Sequence, residues 1–226
     1  MIKTPGWIGA MYSRNIFLSV ILLLLCVWSS IAQSNAKRTD TGYPFFYRGA
    51  YIETHLGYAA MDWDHYASTA AFTITQGGRG GFVFDIDSGY QYNQYLGFEA
   101  GWYHLPTTKY STTTAVHFTV SSWFAYLALK LMLPIYRELY LFTKAGFSYR
   151  STDFASTPAN VPPDGYNFSW QPVFAVGGQV YFNPNWFLTL QYWYVPSRTR
   201  TTVNNSAFLM PRSNLFTVGL AYKFAV

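Results

Sequence analysis

From Leu127 to Leu133 every second residue is leucine, and between the leucines stand Ala128, Lys130 and Met132. A period of two is strand geometry, because successive side chains on a strand point to opposite faces. The stretch 88–105, SGYQYNQYLGFEAGWYHL, repeats the pattern, with Leu96, Phe98, Ala100 and Trp102 alternating against Gly97, Glu99 and Gly101. Just ahead of it, Phe84, Ile86 and Tyr90 alternate against Asp85, Asp87 and Gly89, and the break Tyr92-Asn93-Gln94 suits a tight hairpin. Each apolar face is continuous, and each opposite face mixes glycine with isolated charges. A chain patterned this way is all-β, and the open question is what its apolar face meets.

Aromatic residues make up 21% of the chain and charged residues only 11%, against roughly 25% charged in an ordinary soluble protein. Outside the N-terminus no apolar run approaches the ~18 residues a membrane-spanning helix needs. Eight alternating segments can be read, at 47–60, 81–92, 95–104, 116–133, 139–150, 170–182, 186–195 and 214–224. The connections between them alternate in length. Loops at 61–80, 105–115, 151–169 and 197–213 are long, and turns at Asn93, Tyr136 and Pro184 are short. An even strand number with short turns at one end and long loops at the other is the pattern of an outer-membrane barrel. A soluble barrel of eight strands would turn its apolar face inward and solvate the other, but glycine, serine and a few charges are poor material for that. The rings fall near strand ends, Tyr90, Tyr92, Tyr136, Trp186 and Tyr222 at one level and Trp102, Trp123, Tyr149, Trp170 and Tyr194 at the other. Amphipathic rings favour the two membrane interfaces. The expected fold is therefore an eight-stranded antiparallel up-and-down transmembrane β-barrel, with its termini and turns in the periplasm.

The N-terminus reads as an export leader. Lys3 and Arg14 precede the apolar run 16–28, and Ser30-Ile31-Ala32 offers small residues for cleavage after Ala32. A short uncleaved anchor is the alternative reading. The expected division is a signal peptide at 1–32, a short periplasmic segment at 33–46 and the barrel at 47–226. Cys26, the one cysteine, lies in the leader. Two of the positive charges behind the formal net charge of +5 also lie there, so the mature chain is too weakly basic, and too free of basic stripes, to argue for nucleic acid.

The hairpin GYQYNQYLGFEAGWYHL resembles the second and third strands of the OmpA-like transmembrane domain, a family of small outer-membrane β-barrels. ALKLMLPIYRELYLFTKAG is similar to the fourth and fifth strands of that family across their periplasmic turn, and FTVGLAYKF to its last strand. The resemblance implies residence in the bacterial outer membrane. Longer members carry a peptidoglycan-binding domain. The chain stops two residues past Phe224, so no wall-tethering role is expected, and Ala225-Val226 follow where most relatives end on an aromatic residue.

An eight-stranded barrel is just wide enough to be filled by side chains. By alternation its interior receives Glu53, His55, Asp85, Asp87, Glu99, Lys130, Lys144, Arg150, Gln179, Gln191 and Lys223. Buried charges persist when paired, and four carboxylates against four basic groups is a workable balance. The resemblance implies that Glu99 and Lys130 belong to the family's internal ion network and that Lys144 occupies another basic position. Gln179, Thr189 and Gln191 stand where the family tends to carry charge, which implies a less charged interior.

A function as a structural, surface-exposed envelope barrel is expected, through envelope integrity or loop-mediated adhesion. A narrow porin-like channel is the alternative. A lipid A-modifying enzyme is less favoured, because such chemistry needs a nucleophile and base within hydrogen-bond reach. His104 and His117 flank the second loop near Ser111, Ser121 and Ser122, but no nucleophile motif surrounds those serines, and a surface histidine pair is the plainer reading. Asp62, Asp64 and His65 make only a weak metal motif, and no cofactor or metal is expected. The expected partners are outer-membrane lipid and lipopolysaccharide, the assembly machinery, and a host or surface ligand met through the loops of a monomer. Arg198, Arg200 and Arg212 are the candidates for lipopolysaccharide phosphates.

Overall fold

The computed structural model describes residues 48–62, 74–77, 80–112, 117–157, 165–196, 198–201 and 207–224. The leader at 1–32, the segment 33–46, Asp64 and His65 lie outside them. Eight barrel strands follow one another: β1 (Gly49–Asp62), β2 (Gly80–Gln91), β3 (Leu96–Thr112), β4 (His117–Pro134), β5 (Leu139–Thr157), β6 (Gly165–Tyr181), β7 (Trp186–Val195) and β8 (Arg212–Lys223). Each pairs antiparallel with its successor. β8 closes on β1, with Gly219 opposite His55 and Ala221 opposite Glu53. Closure leaves no edge strand in the barrel wall, so the backbone polar groups of that wall are satisfied without water. Two smaller pieces extend it: Ile74–Gly77 pairs with the far end of β3, and Arg198–Thr201 forms a hairpin with Ala207–Met210.

Alternation decides which side chains go in. On β4, Leu127 is 66% exposed and Ala128 beside it 3%, and the same step repeats down to Leu133. Leu56, Phe98, Phe147, Phe174, Leu190 and Phe216 continue this apolar exterior around the barrel. At the turn end the rings of Trp186 and Tyr222 lie 5.0 Å apart. At the other end Trp123, Tyr149 and Trp170 form a chain with spacings of 6.1 and 5.3 Å. Two of the turns use one device. Asn93 Oδ1 accepts the backbone N–H groups of Tyr95 and Leu96 at 2.8 Å, and Asn183 Oδ1 accepts those of Asn185 and Trp186 at 2.9 Å. Such side-chain acceptors are why asparagine marks tight turns.

The strand ends at the loop side differ from the sequence reading. β3 runs to Thr112 and β4 starts at His117, so most of 105–115 is strand rather than loop. β5 continues past Arg150 to Thr157, β6 begins at Gly165, and β8 begins at Arg212 inside the segment read as the last loop. Threonine is β-branched and favours extended backbone, so a Thr-rich stretch was poor evidence for a loop. Pro106 interrupts the β3–β4 ladder without ending it, because the register shifts between Leu105 and Thr108 and the extra residue is taken up as a bulge.

Inside, the apolar side chains form two layers. Tyr51, Met132, Tyr140, Phe142, Tyr181 and Phe187 pack at the turn end, and Tyr103, Leu105, Phe124, Tyr126, Trp193 and Leu215 are part of the layer toward the loop end. Most of the buried ionisable groups lie where these layers meet.

Candidate functional site

β3 supplies one anion, β4 and β5 two cations. Glu99, Lys130 and Lys144 are each 1% exposed. Lys130 and Lys144 stand directly opposite each other across the β4–β5 ladder, a like-charge placement that is unfavourable by itself. Glu99 resolves it. Its Oε1 accepts from Lys144 Nζ, and its Oε2 lies 3.4 Å from Lys130 Nζ. Two hydroxyls complete the shell, Tyr51 donating to Oε2 at 2.7 Å and Tyr126 to Oε1 at 2.6 Å. The tyrosines come one from each apolar layer, so the carboxylate ties the two layers together. Lys130 Nζ also sits 4.6 Å from the centre of the Phe142 ring, and Lys144 Nζ 5.2 Å from that of Trp193. Aromatic faces are favourable neighbours for an ammonium removed from water.

β1 and β2 build the opposite case. Glu53 stands directly opposite Asp87, and His55 opposite Asp85. His55 Nδ1 lies 2.6 Å from Asp85 Oδ1 and 3.3 Å from Asp87 Oδ2, and Nε2 lies 3.0 Å from Glu53 Oε1. Three carboxylates thus converge on one imidazole, all four groups buried. Gln191 joins the clusters: its Oε1 accepts from Lys144 Nζ at 2.8 Å, and its Nε2 lies 2.9 Å from both His55 Nε2 and Tyr103 Oη.

Glycine makes room for these groups. A Cβ on Gly219 would collide with the His55 ring, one on Gly101 with the Asp87 carboxylate and the Tyr126 ring, and one on Gly89 with the Tyr51 ring. The inner-face glycines are thus cradles for the large side chains that cross the barrel.

The remaining interior groups sit apart. Arg150 Nη1 donates to the carbonyl of Pro211 at 2.8 Å. Lys223 Nζ donates to Gln91 Oε1, which also accepts from Tyr181 Oη at 3.0 Å, while Gln179 Nε2 donates to that same hydroxyl at 3.2 Å. The even balance of four carboxylates against four bases therefore divides unevenly in space. The tyrosines of the Glu99 shell and the gathering at His55 escaped sequence reasoning. Alternation placed Glu53, His55, Asp85 and Asp87 inward, but only cross-strand register makes them neighbours.

The histidines at the loop end are not a pair. His104 lies opposite Phe84 and Trp123, with its ring 5.2 Å from that of Phe84. His117 lies opposite Ser111 and Thr157, further up the same wall. The bulged extension of β3 separates them. Arg212 is half-buried at the start of β8, and the side chains of Arg198 and Arg200 lie outside the described residues.

A closed antiparallel barrel with an apolar exterior, aromatic rings at both rims and a packed, ion-paired interior is an outer-membrane β-barrel. The family model of the OmpA-like transmembrane domain matches residues 47–226, so the chain belongs to that family, and it resides in the bacterial outer membrane. It is 27% identical over 174 residues to outer membrane protein A of Yersinia pseudotuberculosis serotype I (strain IP32953), an alignment covering 73% of this chain and 46% of that protein. The chain therefore spans less than half the length of this curated relative. Among solved structures, the outer membrane protein OprG from Pseudomonas aeruginosa aligns with a TM-score of 0.51 at 12% identity, covering 80% of this chain and 98% of that one. Neisserial surface protein A aligns with a TM-score of 0.50 at 19% identity, covering 78% and 97%. At these identities the likeness is one of fold.

Proposed function

We propose that the barrel is a membrane anchor for a surface-exposed wall, and that its role is surface interaction or envelope integrity rather than transport or catalysis. The observation that carries this reading is strand length. A strand crosses the bilayer in about 9–11 residues, and β7 and β8 are near that length at 10 and 12 residues. β3, β4, β5 and β6 run for 17, 18, 19 and 17 residues, so a contiguous half of the barrel continues beyond the loop-end girdle. On the extensions of β3, β4 and β5 most of the outward residues are polar: Thr107, Lys109, His117, Thr119 and Asp153 are exposed or partly so. Such a sheet offers a ligand a rigid platform. Arg198, Arg200 and Arg212, at the foot of the shorter side, suit lipopolysaccharide phosphates. The periplasmic turns, the assembly machinery as a transient partner and a monomeric state belong to the same reading.

A gene deletion assayed in parallel for adhesion, serum survival and small-solute permeability tests it. Loss of adhesion or survival with unchanged permeability is expected. A defect confined to permeability would favour the narrow channel instead. Two aromatic layers and the Glu99 cluster stand across such a path, so no reproducible single-channel steps are expected in planar bilayers. Steps that vanish in Lys130→Met would overturn that expectation.

A further inference from the structure

The His55 cluster holds three carboxylates around one imidazole, and Lys130 and Lys144 beside it are already engaged by Glu99. Gln191 Nε2 lies 2.9 Å from His55 Nε2 while Gln191 Oε1 accepts from Lys144. The amide therefore aims N–H groups at the imidazole, which demands a lone pair on Nε2 and the ring proton on Nδ1, facing Asp85 Oδ1. Glu53 Oε1, 3.0 Å from the same Nε2, then has no proton between it and the ring. A doubly protonated imidazole would serve Glu53 but oppose the Gln191 donor. Both arrangements leave three carboxylates around at most one positive charge. Both oxygens of Glu53 and both of Asp87 are buried without a hydrogen-bond donor, although each residue is only 1% exposed. Carboxylates removed from water in this state must be neutralised, by a proton or by a cation.

We propose that Glu53, Asp87 and His55 bind a divalent first-row transition-metal ion inside the barrel. One ligand atom from each lies within 4.8 Å of the others, against about 3.4 Å between tetrahedral ligands held at ~2.1 Å, so binding draws the three side chains together. Asp85 is the positioning residue. By holding Nδ1–H it directs Nε2 toward Glu53, as a carboxylate behind a ligating histidine does, and the Gln191 amide retains Tyr103 Oη as its partner. Carboxylate with imidazole suits zinc or manganese better than the all-oxygen ions. Aromatic layers lie on either side, so the ion is enclosed as β1 and β2 join the closing barrel and exchanges slowly afterwards.

The test is to unfold the protein in urea with EDTA, refold it in detergent micelles with Zn2+, Mn2+ or EDTA, dialyse, and measure bound metal and the urea midpoint. About one equivalent of Zn2+ or Mn2+ per folded barrel is expected, with a midpoint above that of the EDTA-refolded protein. Asp87→Asn and Glu53→Gln should each lose the ion, yet in EDTA Asp87→Asn should be at least as stable as the wild type, because a like-charge pair is gone. The wild-type metal content needs no variant to fold. A folded wild-type barrel that retains neither ion and has one midpoint in metal and EDTA overturns the proposal, as does full retention by folded Asp87→Asn.

Discussion

Lys130 and Lys144 face each other across adjacent strands inside a membrane barrel, and the same carboxylate, Glu99, reaches both. Across the barrel wall Glu53 and Asp87 make the matching like-charge pair, with the His55 imidazole between them. The interior thus has two frustrated ladder positions, and a single group of opposite charge, Glu99, holds the first of them. Removing the holding group should cost far more than removing the whole cluster.

Glu99→Gln is accordingly expected to destabilise the barrel by about 3–5 kcal/mol, because two ammonium groups lose their anion in a dry interior. Replacing all three, Glu99→Gln with Lys130→Met and Lys144→Met, should recover most of that loss, since a buried ion cluster is close to neutral against apolar groups of similar size. Urea unfolding in detergent micelles measures both. A triple variant no more stable than Glu99→Gln would show that the ions are needed for packing.

Tyr51→Phe and Tyr126→Phe each delete one hydroxyl donor to Glu99 and should cost about 1.5–3 kcal/mol apiece, the usual range for a hydrogen bond to a charged group. Because they donate to the two oxygens of one carboxylate, the double variant should depart from additivity by more than about 0.5 kcal/mol. A double-mutant cycle from the same unfolding curves gives that term.

Gly219→Ala places a methyl group against the His55 ring and should cost about 1–3 kcal/mol as an overpacked site. Gly178→Ala is the control. Its new Cβ would meet Leu141 and the Tyr140 carbonyl at 3.7 Å, ordinary contact, and a change within about ±0.5 kcal/mol is expected. Equal losses at both positions would place the effect in the strand backbone and not in the cradle.

Leu129→Arg, midway between the two rings of aromatics on the lipid face, should cost about 2–4 kcal/mol, while Thr107→Arg beyond the girdle should cost about 0–1 kcal/mol. Unfolding in lipid vesicles makes the comparison. Equal costs would mean that the extension of β3 also lies in hydrocarbon, and would remove the basis for a wall outside the membrane.

The sequence by itself determined the sidedness of the chain. A period of two assigns each residue to one face irrespective of which strand lies beside it, so Leu127 to Leu133, the hairpin at Asn93 and the whole of β7 were legible before any partner was known. It also determined the closure, since eight such segments with alternating short and long connections have few other solutions in lipid. It misjudged strand ends, because Thr-rich extended backbone beyond the girdle carries no hydrophobic period to mark it. Only the tertiary structure decided which inward groups meet. His55 and Gln191 are 136 residues apart in the chain, and a shift of the closing ladder by two residues would keep every side chain on its face while changing every neighbour across that seam. Alternation carries face but not height in the barrel. Register and closure supply the height, and they gather Glu99 between two lysines and Glu53, Asp85 and Asp87 around one histidine.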